Sequence, residues 1–287
     1  MNSRFAHGNP RAATALALGA AFVLPLVDAM VKQLVAEYPI VMVAWARMGL
    51  ITVILGVVGG AQIGARMLKP VAWRLQVLRG VSAVLGTVFV FLGFRAMPLA
   101  ECLAIVSVAP VLANLFSRWW LDEPGDALSW LAALASFTGV LIIVRPGSGV
   151  FAFAAVYPMI GALGLASFQT ITRAVSGRDD PRVTAFFGPL IAFAAFSAAM
   201  PLNWVAPKST TDIALFCGIG VLAAGAQVLV TLSYRYGTTH QVAPFSYASL
   251  VVSIGVGWLF FGAMPDEWSL FGMLVIAAAG VAMGLRR

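Results

Sequence analysis

Residues 12–35 have the sequence AATALALGAAFVLPLVDAMVKQLV, in which Asp28 and Lys32 are the only charged side chains. A helical segment of about 20 mainly apolar residues is long enough to cross the hydrocarbon core of a bilayer. Arg4 and Arg11 precede the run, as basic residues precede the apolar core of a signal peptide. The run is longer than such a core and leads directly into further apolar segments. The sequence therefore predicts a first membrane span that the mature protein keeps.

The same pattern recurs along the chain, with short breaks that contain proline and charged residues, such as Arg178-Asp179-Asp180-Pro181. Ten spans are predicted, at residues 12–35, 40–60, 75–95, 99–120, 128–145, 151–172, 183–202, 213–234, 240–262 and 268–285. Inside a bilayer each backbone polar group must be satisfied within its own segment, which favours helices. The predicted fold class is an all-α membrane protein with ten transmembrane helices and no soluble domain.

The composition supports a membrane protein and argues against a nucleic-acid partner. Hydrophobic residues make up 61% of the chain and charged residues 10%, and the mean hydropathy is +0.95. A soluble domain has about a quarter of its residues charged. The net charge of +7 comes from basic residues in the short gaps between apolar runs, where membrane topology places them. Lipid is therefore the expected surrounding of most of the chain.

The distribution of Lys and Arg predicts the orientation. With the N-terminus in the cytoplasm, the inner side holds Arg4, Arg11, Arg66, Lys69, Arg74, Arg79, Arg118, Arg173, Arg178, Arg182, Arg235, Arg286 and Arg287. The outer side holds Lys32, Arg95, Arg145 and Lys208. The excess on one side predicts that both termini are cytoplasmic, in a multi-pass protein of a bacterial inner membrane.

The chain also contains an internal repeat. Phe91-Leu-Gly-Phe-Arg95 aligns with Thr231-Leu-Ser-Tyr-Arg235 at an offset of 140 residues, and several loop positions match as well. Apolar helices align by chance too, but the matching loops argue against chance. Each repeat has five spans, an odd number, so the second repeat must enter the membrane from the opposite side. The predicted units are a first repeat at 1–147 and an inverted second repeat at 148–287.

Several motifs connect this architecture with a known family. They are Arg47, the pair Arg79-Gly80, residues 104–110, Trp119-Trp-Leu-Asp-Glu-Pro124 and Gly139-Val-Leu-Ile-Ile-Val-Arg145-Pro. In these motifs, the chain resembles the EamA-type ten-helix branch of the drug/metabolite transporter superfamily. The resemblance implies a transporter of small metabolites. It leaves the substrate open, because the family includes exporters of amino acids, importers of vitamins and nucleoside-like compounds, and nucleotide-sugar carriers.

Charged side chains at membrane depth are costly and usually face a partner or a cavity. Asp28 in the first span and Arg47 in the second both lie toward the outer half, so an ion pair between them is expected. Lys32, four residues after Asp28, is a competing partner or an interfacial cation. The pair is either structural or a coupling site for transport.

The predicted binding site lies near the midplane between the repeats. Amides and a phenol supply its polar groups, and aromatic rings line it. The predicted substrate-binding residues are Trp45, Phe89, Phe168, Gln169, Gln227 and Tyr247. Packing between helices is the alternative role for each of them.

An enzyme, a cofactor and a metal site are not expected. The chain has two histidines, His7 and His240, and two cysteines, Cys102 and Cys217, with no metal-ligand spacing. No phosphate-binding loop or nucleophile motif is present.

The sequence therefore favours a secondary transporter that works by alternating access, as a monomer or homodimer, on a small organic metabolite. The favoured substrate is an amino acid or related compound, and the favoured direction is export. Two alternatives stay open. One is uptake of a larger metabolite such as a flavin or an S-adenosylmethionine-like compound. The other is a non-transporting membrane scaffold or a lipid flippase-like subunit.

Overall fold

The computed structural model describes residues 10–121, 127–145, 153–236 and 239–285. These residues form α-helices joined by short connections, and within them no β-strand occurs. Ser176 and Asp179 make an isolated bridge in one turn. The predicted all-α class is confirmed.

The helices follow the predicted spans closely. They are α1 (Pro10–Glu37), α2 (Ile40–Ile63), α3 (Trp73–Ala96), α4 (Leu99–Val106), α5 (Ala109–Leu121), α6 (Ala127–Val144), α7 (Val156–Val175), α8 (Pro181–Ala199), α9 (Thr210–Tyr236), α10 (Thr239–Phe261) and α11 (Glu267–Leu285). Short 3₁₀ turns, Gly64–Leu68 and Met200–Leu202, follow α2 and α8. Every predicted span overlaps a helix.

The predicted fourth span, 99–120, is divided into α4 and α5. Pro110 has no N–H to donate to the carbonyl of residue 106, and its ring crowds that carbonyl. α4 therefore ends at Val106, where the N–H of Ser107 bonds to the carbonyl of Leu103. α5 begins again at Ala109.

Six helical segments of the described chain are long and apolar enough to cross a membrane. They are Arg11–Glu37, Ile40–Leu68, Trp73–Ala96, Leu99–Leu121, Pro181–Leu202 and Thr210–Val230. Shorter apolar helices run over Trp130–Val144, Tyr247–Phe261 and Glu267–Ala282. Ten crossings remain a prediction.

Helices from the two halves of the chain pack mainly against one another. α1 packs on α9 and α10, α3 on α7 and α8, α2 on α8 and α9, α5 on α7, and α6 on α11. Glycine permits the closest of these crossings: a Cβ at Gly164 of α7 would lie 2.6 Å from the backbone nitrogen of Gly86 in α3. The two halves therefore form one interlocked bundle.

Candidate functional site

A cavity of about 400 Å³ lies inside the bundle, and its wall is built from α1, α2, α3, α4, α7, α8 and α9. Most of the wall is apolar. The polar and charged side chains on it are Asp28, Arg47, Arg79, Thr87, Thr172 and Gln227. An apolar pocket with a few convergent polar groups is the usual form of a small-molecule site.

Asp28 and Arg47 meet on this wall. Arg47 Nη1 lies 3.6 Å from Asp28 Oδ1, and about five-sixths of each side chain is buried. Asp28 stands about 13 Å along α1 from its end at Glu37, and Arg47 about 10 Å along α2 from its start at Ile40. The ring of Phe91 lies 5.8 Å from the Arg47 guanidinium. The two charges therefore compensate each other inside the bundle.

Lys32 does not join this pair, which corrects the expectation that it competes for Asp28. Its ammonium donates to the carbonyls of Phe94 at 2.5 Å and Met97 at 2.7 Å. The last carbonyls of a helix have no partner within the helix and carry partial negative charge. Lys32 therefore caps the C-terminal end of α3.

Arg79 of α3 is a second guanidinium on the cavity wall. From the sequence it was expected to be a cytoplasmic charge and part of the Arg79-Gly80 motif, and it was not among the predicted binding residues. Only 4% of the surface of Arg79 is exposed. Nε donates to Thr172 Oγ1 at 2.8 Å, and Nη1 donates to Gln76 Oε1 at 3.1 Å and to the carbonyl of Thr184. The ring of Phe168 lies 4.4 Å from Cζ. Arg79 thus connects α3 with α7 and α8.

The partners of Arg79 are held in turn by the loop before α8. Gln76 Nε2 donates to Asp179 Oδ2 at 2.9 Å and to Thr184 Oγ1 at 3.2 Å. Asp179 Oδ1 accepts from the backbone N–H groups of Val71 at 2.6 Å and Ala72 at 3.3 Å, just before α3. The network therefore fixes the orientation of Gln76, and Gln76 fixes one edge of the guanidinium.

Of the six predicted substrate-binding residues, Phe168 and Gln227 line the cavity. They come from α7 and α9, which both belong to the second half of the chain. The Phe168 ring covers one face of Arg79. Gln227 brings an amide, which both donates and accepts hydrogen bonds.

The other four do not line this cavity. Trp45 points toward α8, where its indole N–H donates to Ser197 Oγ at 2.9 Å and its ring packs against Phe193. Tyr247 packs on α11, where a Cβ at Gly280 would overlap its hydroxyl. Phe89 and Gln169 are half-buried elsewhere on α3 and α7. Trp45 and Tyr247 therefore pack between helices and do not face this cavity.

An ion pair between the residue after α6 and the residue before α11 joins these two helix ends. Arg145 bonds to Asp266, whose Oδ1 also accepts from the backbone N–H of Ser269 at 2.9 Å. The Arg145 hydrogen bond and the Ser269 N–H hold the pKa of Asp266 well below its usual range. Among the described residues, no group of three or more His, Cys, Asp or Glu side chains is placed to bind a metal.

The long apolar helices indicate a multi-pass membrane protein, and the cavity is its candidate small-molecule site. Residues 11–145 match the EamA-like transporter family. A riboflavin transporter of Rhizobium johnstonii is 31% identical over 210 residues, 73% of this chain and 69% of that protein. The chain belongs to the EamA-like transporter family and is a small-metabolite transporter.

Other relatives act on different compounds. The pseudopaline exporter CntI of Pseudomonas aeruginosa is 29% identical over 273 residues, 93% of this chain and 94% of the exporter. An S-adenosylmethionine uptake transporter of Rickettsia bellii is 21% identical over 216 residues, 75% of this chain and 74% of its own. A crystal structure of a protein 17% identical in sequence superposes with a TM-score of 0.67 over 97% of this chain, which supports the fold.

Proposed function

We propose that the protein is an inner-membrane secondary transporter that exports an amino acid or amino-acid-derived compound by alternating access. The observation that carries the proposal is the cavity of about 400 Å³ between the two halves, with Asp28, Arg47 and Gln227 on its wall. Its volume falls within the range of about 300–1,000 Å³ that small-molecule sites occupy. A carboxylate, a guanidinium and an amide complement the ammonium and carboxylate groups of an amino acid. The pseudopaline exporter, which matches along nearly all of its length, supports export.

The proposed mechanism uses two inverted repeats, which the sequence predicts to have both termini in the cytoplasm, and the helix packing supports an equivalence of the two repeats. In the two repeats, α1 corresponds to α7, α2 to α8 and α3 to α9. The contact of α1 with α9 therefore corresponds to that of α7 with α3, and the contact of α2 with α9 to that of α8 with α3; all four contacts occur. The contact of α1 with α10 likewise corresponds to those of α7 with α4 and α5. Such pseudosymmetry allows the bundle to open to either side by rocking one repeat on the other.

Uptake of a flavin is the second candidate function. Riboflavin transporters of Rhizobium johnstonii and Vibrio cholerae are among the relatives, at 31% and 29% identity. Phe168 offers the cavity an aromatic ring, and aromatic rings stack on one another. A flavin would use the same cavity and the same Gln227.

Counterflow in proteoliposomes decides between these functions. Vesicles are loaded with an unlabelled compound, and entry of the same compound carrying a radioactive label is measured for a panel of amino acids and for riboflavin. The proposal predicts counterflow of an amino acid that Gln227→Leu weakens. Counterflow of riboflavin alone would support the flavin function. No counterflow of any compound would favour the scaffold or flippase-like alternative.

A further inference from the structure

The charges on the cavity wall do not balance. Its ionisable side chains are Asp28, Arg47 and Arg79. Asp28 and Arg47 face each other at 3.6 Å, so the unmatched positive charge is that of Arg79. We propose that Arg79 anchors the substrate through a carboxylate or phosphate group. This inference rests on the proposed transport function and adds the substrate's chemical class to it.

The hydrogen bonds of Arg79 leave one amino group for a ligand. A guanidinium has five N–H donors in a rigid fork. Nε is bonded to Thr172, and Nη1 to Gln76 and Thr184. In the described part of the chain, Nη2 donates no hydrogen bond. Since Arg79 lines the cavity, both N–H groups of Nη2 are available to an acid group there.

The surroundings of Arg79 hold it ready for an anion. A charge that is 96% removed from solvent is costly unless it is paired. The three protein oxygens that accept hydrogen bonds from Arg79 belong to a hydroxyl, an amide and a backbone carbonyl, and no described carboxylate forms an ion pair with it. Asp179, the nearest acid in the network, bonds to Gln76. Fixed donors in a site with little water bind an anion strongly because they need no reorganisation. A carboxylate or phosphate of the substrate supplies the missing counter-charge.

Phe168 and Gly188 shape the space around the Arg79 guanidinium. The Phe168 ring covers one face of the guanidinium at 4.4 Å. A Cβ at Gly188 of α8 would lie 3.2 Å from Cζ, Nη1 and Nη2, so a larger side chain there would crowd the fork. Both Phe168 and Gly188 line the cavity. Phe168 therefore covers one face of the guanidinium, and the missing side chain at Gly188 leaves room for its amino groups at the cavity wall.

Protection of a cavity cysteine from alkylation tests this proposal without requiring transport. Ala83 lines the cavity one turn after Arg79 on the same helix, so Ala83→Cys reports occupancy beside the guanidinium. Cys217 is exposed and is changed to serine, whereas Cys102 is fully buried and stays. The probes are two matched pairs: phenylalanine with phenylalaninamide, and riboflavin 5′-phosphate with riboflavin. In each pair, the first compound carries an acid group that the second lacks.

At least one acid should protect the cysteine at a concentration about tenfold lower than its partner without the acid group does, the factor expected for a charge-assisted hydrogen bond. Phenylalanine and riboflavin phosphate distinguish a carboxylate site from a phosphate site. Arg79→Gln should abolish the preference, and Arg79→Lys should retain part of it because the charge remains. The proposal would be overturned if the compounds with and without the acid group protected the cysteine equally, or if neither acid protected it.

Two controls separate anchoring from a structural role. Thr172→Val removes one hydrogen bond of Arg79 but keeps its charge, so the acid preference should persist. Arg74→Gln removes an exposed charge from the same helix and should change nothing. If Thr172→Val abolished the preference as fully as Arg79→Gln, Arg79 would be a packing residue. Acid protection without counterflow would contradict the transport function and leave the anchor intact.

Discussion

Neutralising Asp28 should destabilise the protein through Arg47. The 3.6 Å separation corresponds to a Coulomb attraction of about 4–5 kcal/mol at an effective dielectric constant of about 20. Asp28→Asn leaves a guanidinium that cannot lose its proton, and breaking a buried pair in this way costs about 3–5 kcal/mol. Arg47→Gln should cost less, because an isolated carboxyl can bind a proton. The double variant should regain about 2 kcal/mol or more of the sum of the two single losses.

The assay is thermal unfolding of the four proteins, purified in one detergent at one lipid content. Each single variant should unfold at a lower temperature than the unaltered protein, and the double variant should recover part of the loss. An unchanged melting temperature for Asp28→Asn, or strictly additive losses in the double variant, would refute the ion pair as a stabilising contact.

The same variant also tests whether Asp28 couples transport to a proton gradient. In a proton-coupled transporter, substrate exchange needs no net proton movement, whereas accumulation driven by the proton gradient does. If Asp28 only stabilises the bundle, Asp28→Asn should reduce both activities in proportion to the folded protein. Loss of accumulation with full exchange would instead assign Asp28 to coupling.

Three further outcomes follow from named contacts. Gln227→Leu should weaken transport at unchanged expression, because it removes an amide from the cavity wall; lower yield with unchanged transport per molecule would indicate packing. Gly164→Ala should lower the free energy of unfolding by about 1–3 kcal/mol through overpacking and so lower the melting temperature, whereas Gly225→Ala, with nothing within 4 Å of the added Cβ, should not. The pKa of Asp266 is depressed, so its pairing with Arg145 contributes stability above the unfolded carboxyl's pKa of about 3.9 and loses it as the pH falls through the lower folded value. The melting difference between the unaltered protein and Asp266→Asn should therefore stay constant from about pH 7 to 5, and a difference that vanished within that window would contradict the depressed pKa.

The helices were predictable because a bilayer requires apolar segments of a certain length, and length and composition are visible in the sequence. The break at Pro110 was also present in the sequence, since proline cannot continue the hydrogen-bond ladder. It was missed because one continuous apolar run, 99–120, was treated as one helix. The length of an apolar run does not show whether the helix within it is interrupted.

The candidate site was only partly predictable. Asp28 and Arg47 were recognisable because charges are rare at membrane depth. Trp45 and Tyr247 were assigned to the cavity because of their residue types, but a helix that is apolar on every face does not show in its sequence which face is turned inward. Arg79 was missed because it lies near the start of α3, at the end predicted to be cytoplasmic, where arginine is usually a topology signal. Its depth of about 9 Å along α3 was the signal that could have identified it.

Transport through the cavity is the central claim, and blocking the cavity tests it most directly. Counterflow of the substrate is measured in proteoliposomes that contain the Ala83→Cys, Cys217→Ser protein, before and after complete alkylation of the cavity cysteine. Alkylation should abolish counterflow, and the Cys217→Ser protein, in which Cys102 is buried, should keep its activity under the same treatment. Full counterflow through fully alkylated protein would show that the substrate does not pass through this cavity.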